Sequence, residues 1–311
     1  MGRRLAARED TGRDARDPRS RWEAERGLRR EEHDVLGRLL VPIGGGYEIR
    51  LSHAPDVDAA IEEALGPPPG EPGLIPLRDL LGMVGAHEWR RRGVPVAAID
   101  ASVHPHWGVF APVRSEHVDL VASAVRERAL EGRNALDVGT GTGVLAFVLA
   151  RAGAAVVATD REPRAIACAR ENAARLGLEG RVTVVEADLF PPGEERFDLV
   201  VSNPPWIPGN AFSALEHAVF DPGGAFLERL VAGLPARLAP GGEALVVLSD
   251  LAERLGLRPA GSVERLAARA GLEARVAAEA APSHPRARDR DDPLHGVRSA
   301  ERTLLWVLRR P

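Results

Sequence analysis

The chain has 311 residues, 44% hydrophobic, 28% charged and only 4% aromatic, which fits a folded chain with an aliphatic core and room for two domains of roughly 100–200 residues. All 41 basic residues are Arg, and segment 101–250 is the most acidic, with 13 arginines against 19 acids, which weighs against a protein built to grip a long nucleic-acid duplex. The lone Cys168 excludes an internal disulfide and a multi-cysteine metal site, no apolar run reaches the ~18 residues of a membrane span, and MGRRLAARED lacks a signal-like apolar stretch, so a soluble, cytoplasmic protein is expected.

In chain order, residues 1–20 mix Arg, Asp and Gly without apolar periodicity and are read as a flexible leader. Helical spacing runs from Trp22 to Leu40, the Gly44-Gly45-Gly46 break follows, and Tyr47 to Leu51 alternates like a short strand. A helix over 56–65, opened by Asp56, leads into Gly66–Pro76, where five Pro and three Gly predict a rigid loop. A helix over 76–92 then ends at Arg-Arg-Arg-Gly. Residues 21–92 are thus expected to be a smaller, mainly helical N-terminal domain, and 93–311 a second domain entered through a hairpin at 93–114. After it come helix 115–130, strand 134–138, helix 143–152, strand 155–159, helix 162–176, and strands 181–186 and 197–202. Helix 225–238, strand 243–249, helix 262–271 and an antiparallel pair, 273–279 with 302–309, complete the chain. Strand–helix alternation with short apolar strands implies an α/β fold, a parallel sheet covered on both faces.

The clearest motif, Asp137-Val138-Gly139-Thr140-Gly141-Thr142-Gly143, links a strand to an apolar helix. Glycines let the backbone approach a ligand closely, and the helix N-terminus offers unpaired N–H groups and partial positive charge. Asp160 ends the next strand, where a carboxylate can accept from both hydroxyls of a ribose. Dinucleotide sites want their third small residue at 144, which here is Val144. The spacing of Gly139, Gly141 and Gly143 after Asp137 instead resembles the first motif of class I S-adenosylmethionine-dependent methyltransferases; the plain alternative is an ordinary strand–turn–helix. That resemblance implies cofactor contacts from Asp137, Gly139, Thr140, Gly141, Gly143 and Asp160, and from Asp188 to the adenine amino group. Asp188 read without it is a solvated strand-end acid.

Asn203-Pro204-Pro205-Trp206 directly follows the strand RFDLVV, at the sheet edge where open α/β folds bind ligands. The prolines carry no N–H and push Asn203 toward an extended backbone. Its side-chain oxygen and the Pro204 carbonyl are then two acceptors for the N–H groups of a conjugated nitrogen. Held that way, the nitrogen can pyramidalise and aim its lone pair at a methyl group. Trp206 offers a flat face for a planar amide or base.

Gly108–Leu248 resembles the methyltransferase-small-domain group and, within it, the release-factor glutamine methyltransferases, through LDVGTGTG, ATDRE, EADLF, SNPPW, EHAVFDPGGAFLERL and LAPGGEAL. The resemblance implies a Rossmann-like, seven-stranded class I methyltransferase sheet and S-adenosyl-L-methionine as cofactor. It implies N-methylation of an amide or exocyclic amino nitrogen on a macromolecule, a protein glutamine or an RNA base, with residues 21–92 recognising it. Three departures bear on the acceptor: Trp206 stands where those enzymes usually have Tyr, their P-R-P-E-T-E-like segment is replaced by Pro112–Glu116, and residues 41–76 are rich in Gly and Pro. Adenine or guanine of nucleic acid and small-molecule amines remain alternatives. From other classes, so do a nicotinamide-dependent oxidoreductase and a non-catalytic binding module.

His104 and His106 flank Pro105 with no further ligand cluster, so no metal is expected and structural or substrate contacts are favoured. Phe110 is read equally as a cover on the cofactor or as core, and Cys168 as buried and inert. Segment 281–300 is long and polar for a connection; a solvated loop is the plain reading, help in selecting the acceptor the sharper one.

Overall fold

A computed structural model describes residues 17–50, 53–212 and 215–311. The expected leader lies outside these residues up to position 16. Residues 17–20 already start helix α1 (Pro18–Leu36), because the Asp17 carboxylate caps the N–H groups of Arg19 and Ser20 and Pro18 occupies the first turn. Gly37 closes α1, short of the expected end at Leu40. Leu40–Ile43 then forms strand β1.

The rest of the N-terminal region departs from expectation in its strands. Tyr47 turns the chain with φ 71° and donates its hydroxyl to the Gly66 carbonyl at 3.1 Å, so the strand expected at Tyr47–Leu51 is absent over the described residues 47–50, and Leu51 lies outside them. The end of the expected rigid loop is instead strand β2 (Gly73–Pro76), antiparallel to β1. Between them lies helix α2 (Asp58–Leu65), and after them α3 (Leu77–Arg92). Ile43, Tyr47, Val57, Ile61, Ala64, Ile75, Leu80 and Met83 share one small core. Helix α1 buries no residue and adds none to that core; its side chains reach the second domain instead. The linking hairpin pairs β3 (Val94–Val96) with β4 (Ala101–Val103), reversed at Asp100 with φ 46°. The stretch WGVFAPV, expected as its second strand, runs on beyond β4 as a loop.

The second domain follows its sequence closely. Helix α4 (Glu116–Arg126) precedes β5 (Asn134–Val138), α5 (Val144–Arg151), β6 (Ala155–Asp160), α6 (Pro163–Arg175), β7 (Val182–Glu186) and β8 (Phe197–Ser202). Short strands β9 (Ile207–Pro208) and β10 (Phe220–Asp221) pair beside the sheet, followed by α7 (Ala225–Arg237), β11 (Leu238–Ser249), α8 (Ser262–Arg269), β12 (Glu273–Ala280) and β13 (Thr303–Arg309). The sheet order is β7-β6-β5-β8-β11-β13-β12, with β13 antiparallel to both its neighbours and the other pairs parallel. This is the Rossmann-like class I methyltransferase arrangement.

Each central strand divides its side chains between two cores. Ala135, Leu199, Val201, Leu245 and Val247 meet the helices α4, α5 and α6 on one face. Leu136, Val200, Ala244 and Val246 meet α7 and α8 on the other. The strand order reverses between β5 and β8, and such a switch point opens a crevice at the carboxyl ends of the strands. Among the described residues no helix is long and apolar enough to cross a membrane.

Phe147 on α5 is fully buried. Phe147→Ala is expected to cost about 3–5 kcal/mol of unfolding free energy in urea titration; a loss below about 1 kcal/mol would contradict its place in the core.

Candidate active site

The crevice between β5 and β8 is a cavity of about 420 Å³ whose lining includes Asp137, Gly139, Thr140, Gly141, Asp160 and Asp188 from the glycine-loop strands, and Asn203, Pro205, Phe220 and Asp221 from the chain after β8. The glycine loop bends there through φ values of 73°, 55° and 89° at Gly139, Gly141 and Gly143. At Gly143 a Cβ would lie 2.3 Å from the Phe147 ring, so both the backbone and the space demand glycine.

Neighbouring strands pin this loop. The N–H groups of Gly139 and Thr140 donate to the Thr159 carbonyl, each at 2.9 Å. The Gly141 N–H donates to Asp160 Oδ2 and the Glu162 N–H to Asp160 Oδ1, both at 3.0 Å. Burial raises the Asp160 carboxyl, against these two amides. Each of its oxygens keeps a further lone pair, so it can serve the loop and a ribose together. Asn172, which sequence reasoning passed over, donates to the Thr142 carbonyl at 3.1 Å and accepts from the His104 N–H at 2.8 Å. It joins the glycine loop to the segment carrying His104 and His106; the available signal was a polar residue on the buried face of an Ala-rich helix.

Asp137 is the most perturbed group of the site. Its Oδ2 accepts from Thr140 Oγ1 at 2.6 Å and from the Ala146 N–H at 3.0 Å. Its Oδ1 is buried with no partner among the described residues. Burial pushes the carboxyl up to about 7, with those two hydrogen bonds acting against the rise. An orphaned oxygen at the cavity wall is a place for a donor, and a cationic donor most of all.

Asn203 leaves the end of β8, where Ser202 Oγ donates to the Val138 carbonyl at 2.8 Å. The Trp206 indole N–H donates to Asn203 Oδ1 at 2.8 Å, and Arg258 Nη2 donates to the Trp206 carbonyl at 2.7 Å. Trp206 and Pro204 are not among the residues lining the cavity. The flat face expected of Trp206 is therefore not part of this wall; its half-buried indole N–H needs an acceptor, and Asn203 supplies one. Asp188 lines the cavity with its carboxylate paired to Arg229 at 2.7 Å, so a ligand amino group there competes with a guanidinium. His117, also unforeseen, stands on the wall, pushed down to about 4 by burial and hence uncharged near neutrality. Asp221 caps α7 through the N–H groups of Phe226 and Leu227 at 2.9 and 3.2 Å.

The weaker signals resolve as structure. His106 bonds Glu171 at 2.8 Å, and Arg90 of the N-terminal domain pairs with the same carboxylate at 2.6 Å. Burial acts against it, but hydrogen bonds from Arg175 and His106 hold Glu171 at about 2. Among the described residues no group of three or more His, Cys, Asp or Glu could hold a metal ion. Burial takes the Cys168 thiol up to about 12. Phe110 lines the cavity. Segment 281–300 contributes nothing to the wall; it is tied down by Ser283 to Glu116 at 2.7 Å and by the buried pair of Asp292 and Arg298.

Residues 100–257, half of the chain, match the family model for the methyltransferase small domain. The chain belongs to this family. A release factor glutamine methyltransferase of Deinococcus radiodurans is 35% identical over 226 residues, covering 68% of this chain and 73% of that one. Another, of Cereibacter sphaeroides, is 38% identical over 164 residues, 49% of this chain and 57% of its own length. A ribosomal RNA small subunit methyltransferase C of Alcanivorax borkumensis is 33% identical over 156 residues, 48% of this chain and 43% of its own. The matches span about half the length of the first of these curated relatives. Among solved structures, a methyltransferase of Pyrococcus furiosus aligns over 75% of this chain and 99% of its own at 16% identity, with a TM-score of 0.48.

The methyl donor that this small-domain family implies, S-adenosyl-L-methionine, fits the donor set. Its ammonium group would find a partner in the orphaned Asp137 Oδ1, and its ribose in Asp160. An ammonium group favours the ionised carboxylate, so binding should lower the Asp137 pKa from about 7 and release a proton. Affinity for S-adenosylhomocysteine is expected to rise from about pH 6 to pH 7.5 and then level off. At about pH 6, calorimetry in buffers of different ionisation enthalpy should register close to one proton released. Equal affinity across that range, with no proton release, would contradict the pairing.

Proposed function

We propose that this protein transfers a methyl group from S-adenosyl-L-methionine to an amide nitrogen of a macromolecule, a protein glutamine, in the cytoplasm. The observation that supports the reading is that Asn203, Asp137 and Asp160 line one cavity. The bound cofactor would supply an electrophilic methyl carbon, and Asp137 and Asp160 would hold and orient its carrier.

The acceptor side rests on Asn203. Its Oδ1 has two lone pairs, one taken by the Trp206 N–H, which leaves one for an N–H of the acceptor nitrogen. Pro204, expected to supply a second acceptor, is not on the wall, so the bond to Asn203 carries the localisation of the nitrogen lone pair and its aim at the methyl carbon, which is positioning with electrostatic support. The C–S bond breaks as the N–C bond forms, and the nitrogen then loses its proton to water, so no strong base is required. Uncharged His117 on the wall adds no cation to repel the donor.

Two observations favour glutamine. Release factor glutamine methyltransferases are similar to this chain at 35–41% identity. The Trp206 ring does not line the cavity and has the Arg114 guanidinium 5.6 Å from its centroid, so it offers a nucleobase no stacking face there. A second reading, an RNA base amino group, is favoured by the similarity to the Alcanivorax enzyme. In either case residues 21–92 contribute to recognising the macromolecule.

Labelled cofactor added to cell extract should place protease-sensitive label in protein; label removed by ribonuclease would favour the second reading. Asn203→Ala should keep S-adenosylhomocysteine affinity and lower methyl transfer by roughly 100-fold or more, because its bonds act on the transition state. Transfer at the parental rate would refute the role given to Asn203.

A further inference from the structure

Helix α1 is an unusual neighbour for a catalytic domain. Nineteen residues long, it buries none of them, so apolar burial alone does not dock it. Its contacts concentrate on three segments of the second domain. Arg19 Nη1 donates to the Gly256 carbonyl at 3.3 Å, and Arg21 Nη1 to the Pro293 carbonyl at 3.2 Å. Glu25 pairs with Arg286 at 2.8 Å and with buried Arg298 at 2.7 Å. Trp22 packs beside Ile207, Phe220 and Ala252.

The densest of these contacts is Arg26. Its guanidinium carbon lies 4.0 Å from the ring centroids of both Phe212 and Phe220. Its Nη1 pairs with Glu216 Oε1 at 2.9 Å, and its Nη2 donates to the Asn210 carbonyl at 2.9 Å. All of these partners belong to the stretch that leaves Trp206, runs through β9, returns through β10 and enters α7. That stretch supplies His217, Ala218, Phe220 and Asp221 to the cavity wall. Among its described residues the backbone is tied by the two-residue pairing of β9 with β10 and by a 3-10 turn at Leu215–Ala218, so side-chain contacts carry much of its shape. A planar cation between two aromatic rings, closed by a carboxylate, is such a contact.

We infer that Arg26 is a positioning residue for the acceptor side of the site: through it, helix α1 sets the wall against which the acceptor is held. The inference rests on the proposed methyl transfer only in naming what that wall receives. The cofactor side stands apart from it, because the glycine loop, Asp137 and Asp160 are pinned from within the second domain by α5, β6 and α6. The two halves of one cavity are therefore held by different means.

The test uses the full chain and two variants, Arg26→Gln, which removes the cation, and Arg26→Lys, which keeps it without the planar fork. Amide hydrogen exchange, S-adenosylhomocysteine affinity and methyl-transfer kinetics are read on each. In Arg26→Gln, exchange over 207–221 should rise about tenfold while β5 and β8 keep parental protection. S-adenosylhomocysteine affinity should stay within about twofold, acceptor KM should rise about tenfold, and Arg26→Lys should recover part of both losses. Unchanged exchange over 207–221 would overturn the inference. So would exchange rising equally in β5 and β8, or cofactor affinity falling in step, because Arg26 would then support the whole fold. Exchange and affinity need no methyl acceptor, so a parental chain without transfer activity would count against the proposed function and not against this role of Arg26.

Discussion

The parallel pairing of β5 with β8, Val138 opposite Ser202, is the constraint from which the site follows. Adjacent strands lie about 4.8 Å apart, so the residues that leave them, Gly139 and Asn203, must emerge side by side. The Ser202 hydroxyl bonded to the Val138 carbonyl closes that junction from within. On its β5 side the orphaned Asp137 oxygen and, beside the glycine loop, the Asp160 carboxylate suit a cationic, ribose-bearing ligand. On its β8 side the chain presents an Asn oxygen with a lone pair to spare. A shift of one residue in that register would send both groups to the wrong face of the sheet.

The two sides of the cavity are built from different material. The glycine loop is fixed by backbone bonds to Thr159, by Asp160 Oδ2 and by Asn172, all within the second domain. The other part of the wall belongs to a stretch with little regular structure, buttressed from outside by α1. Such a division suits a catalyst that meets one invariant small molecule and one bulky partner. The small-molecule half gains from rigidity, whereas the partner half can be adjusted through a peripheral helix without disturbing the sheet. Arg90 and His106, meeting on Glu171, give the N-terminal domain a second tie to the same body.

Most of the second domain was legible because its strands are apolar on both faces and alternate with helices of ordinary length, so that periodicity and order agreed. The N-terminal region was harder to read. Pro42 and Pro76 argue locally against strands, yet a two-stranded ribbon is all edge and tolerates them, and Tyr47 occupies a left-handed turn that an alternating pattern conceals. In the site, residues at strand ends were readable, since the strand order itself brings them together. Partnerships across long separations were not. The bond from Trp206 to Asn203, the pairing of Asp188 with Arg229 and the seat of Arg26 between Phe212 and Phe220 depend on side-chain directions that no spacing encodes. Helix α1 was visible as a helix but not as a support for the cavity wall, because its docking depends largely on single charged residues and not on a buried apolar face.

The most direct test of the account is a crystal structure of the protein with S-adenosylhomocysteine. The account places the ligand's amine on Asp137 Oδ1, its ribose hydroxyls on Asp160 and its sulfur facing Asn203 across the β5–β8 junction. A ligand bound away from the glycine loop, or seated with its sulfur turned from Asn203 while Asp137 Oδ1 stays unpaired, would contradict it.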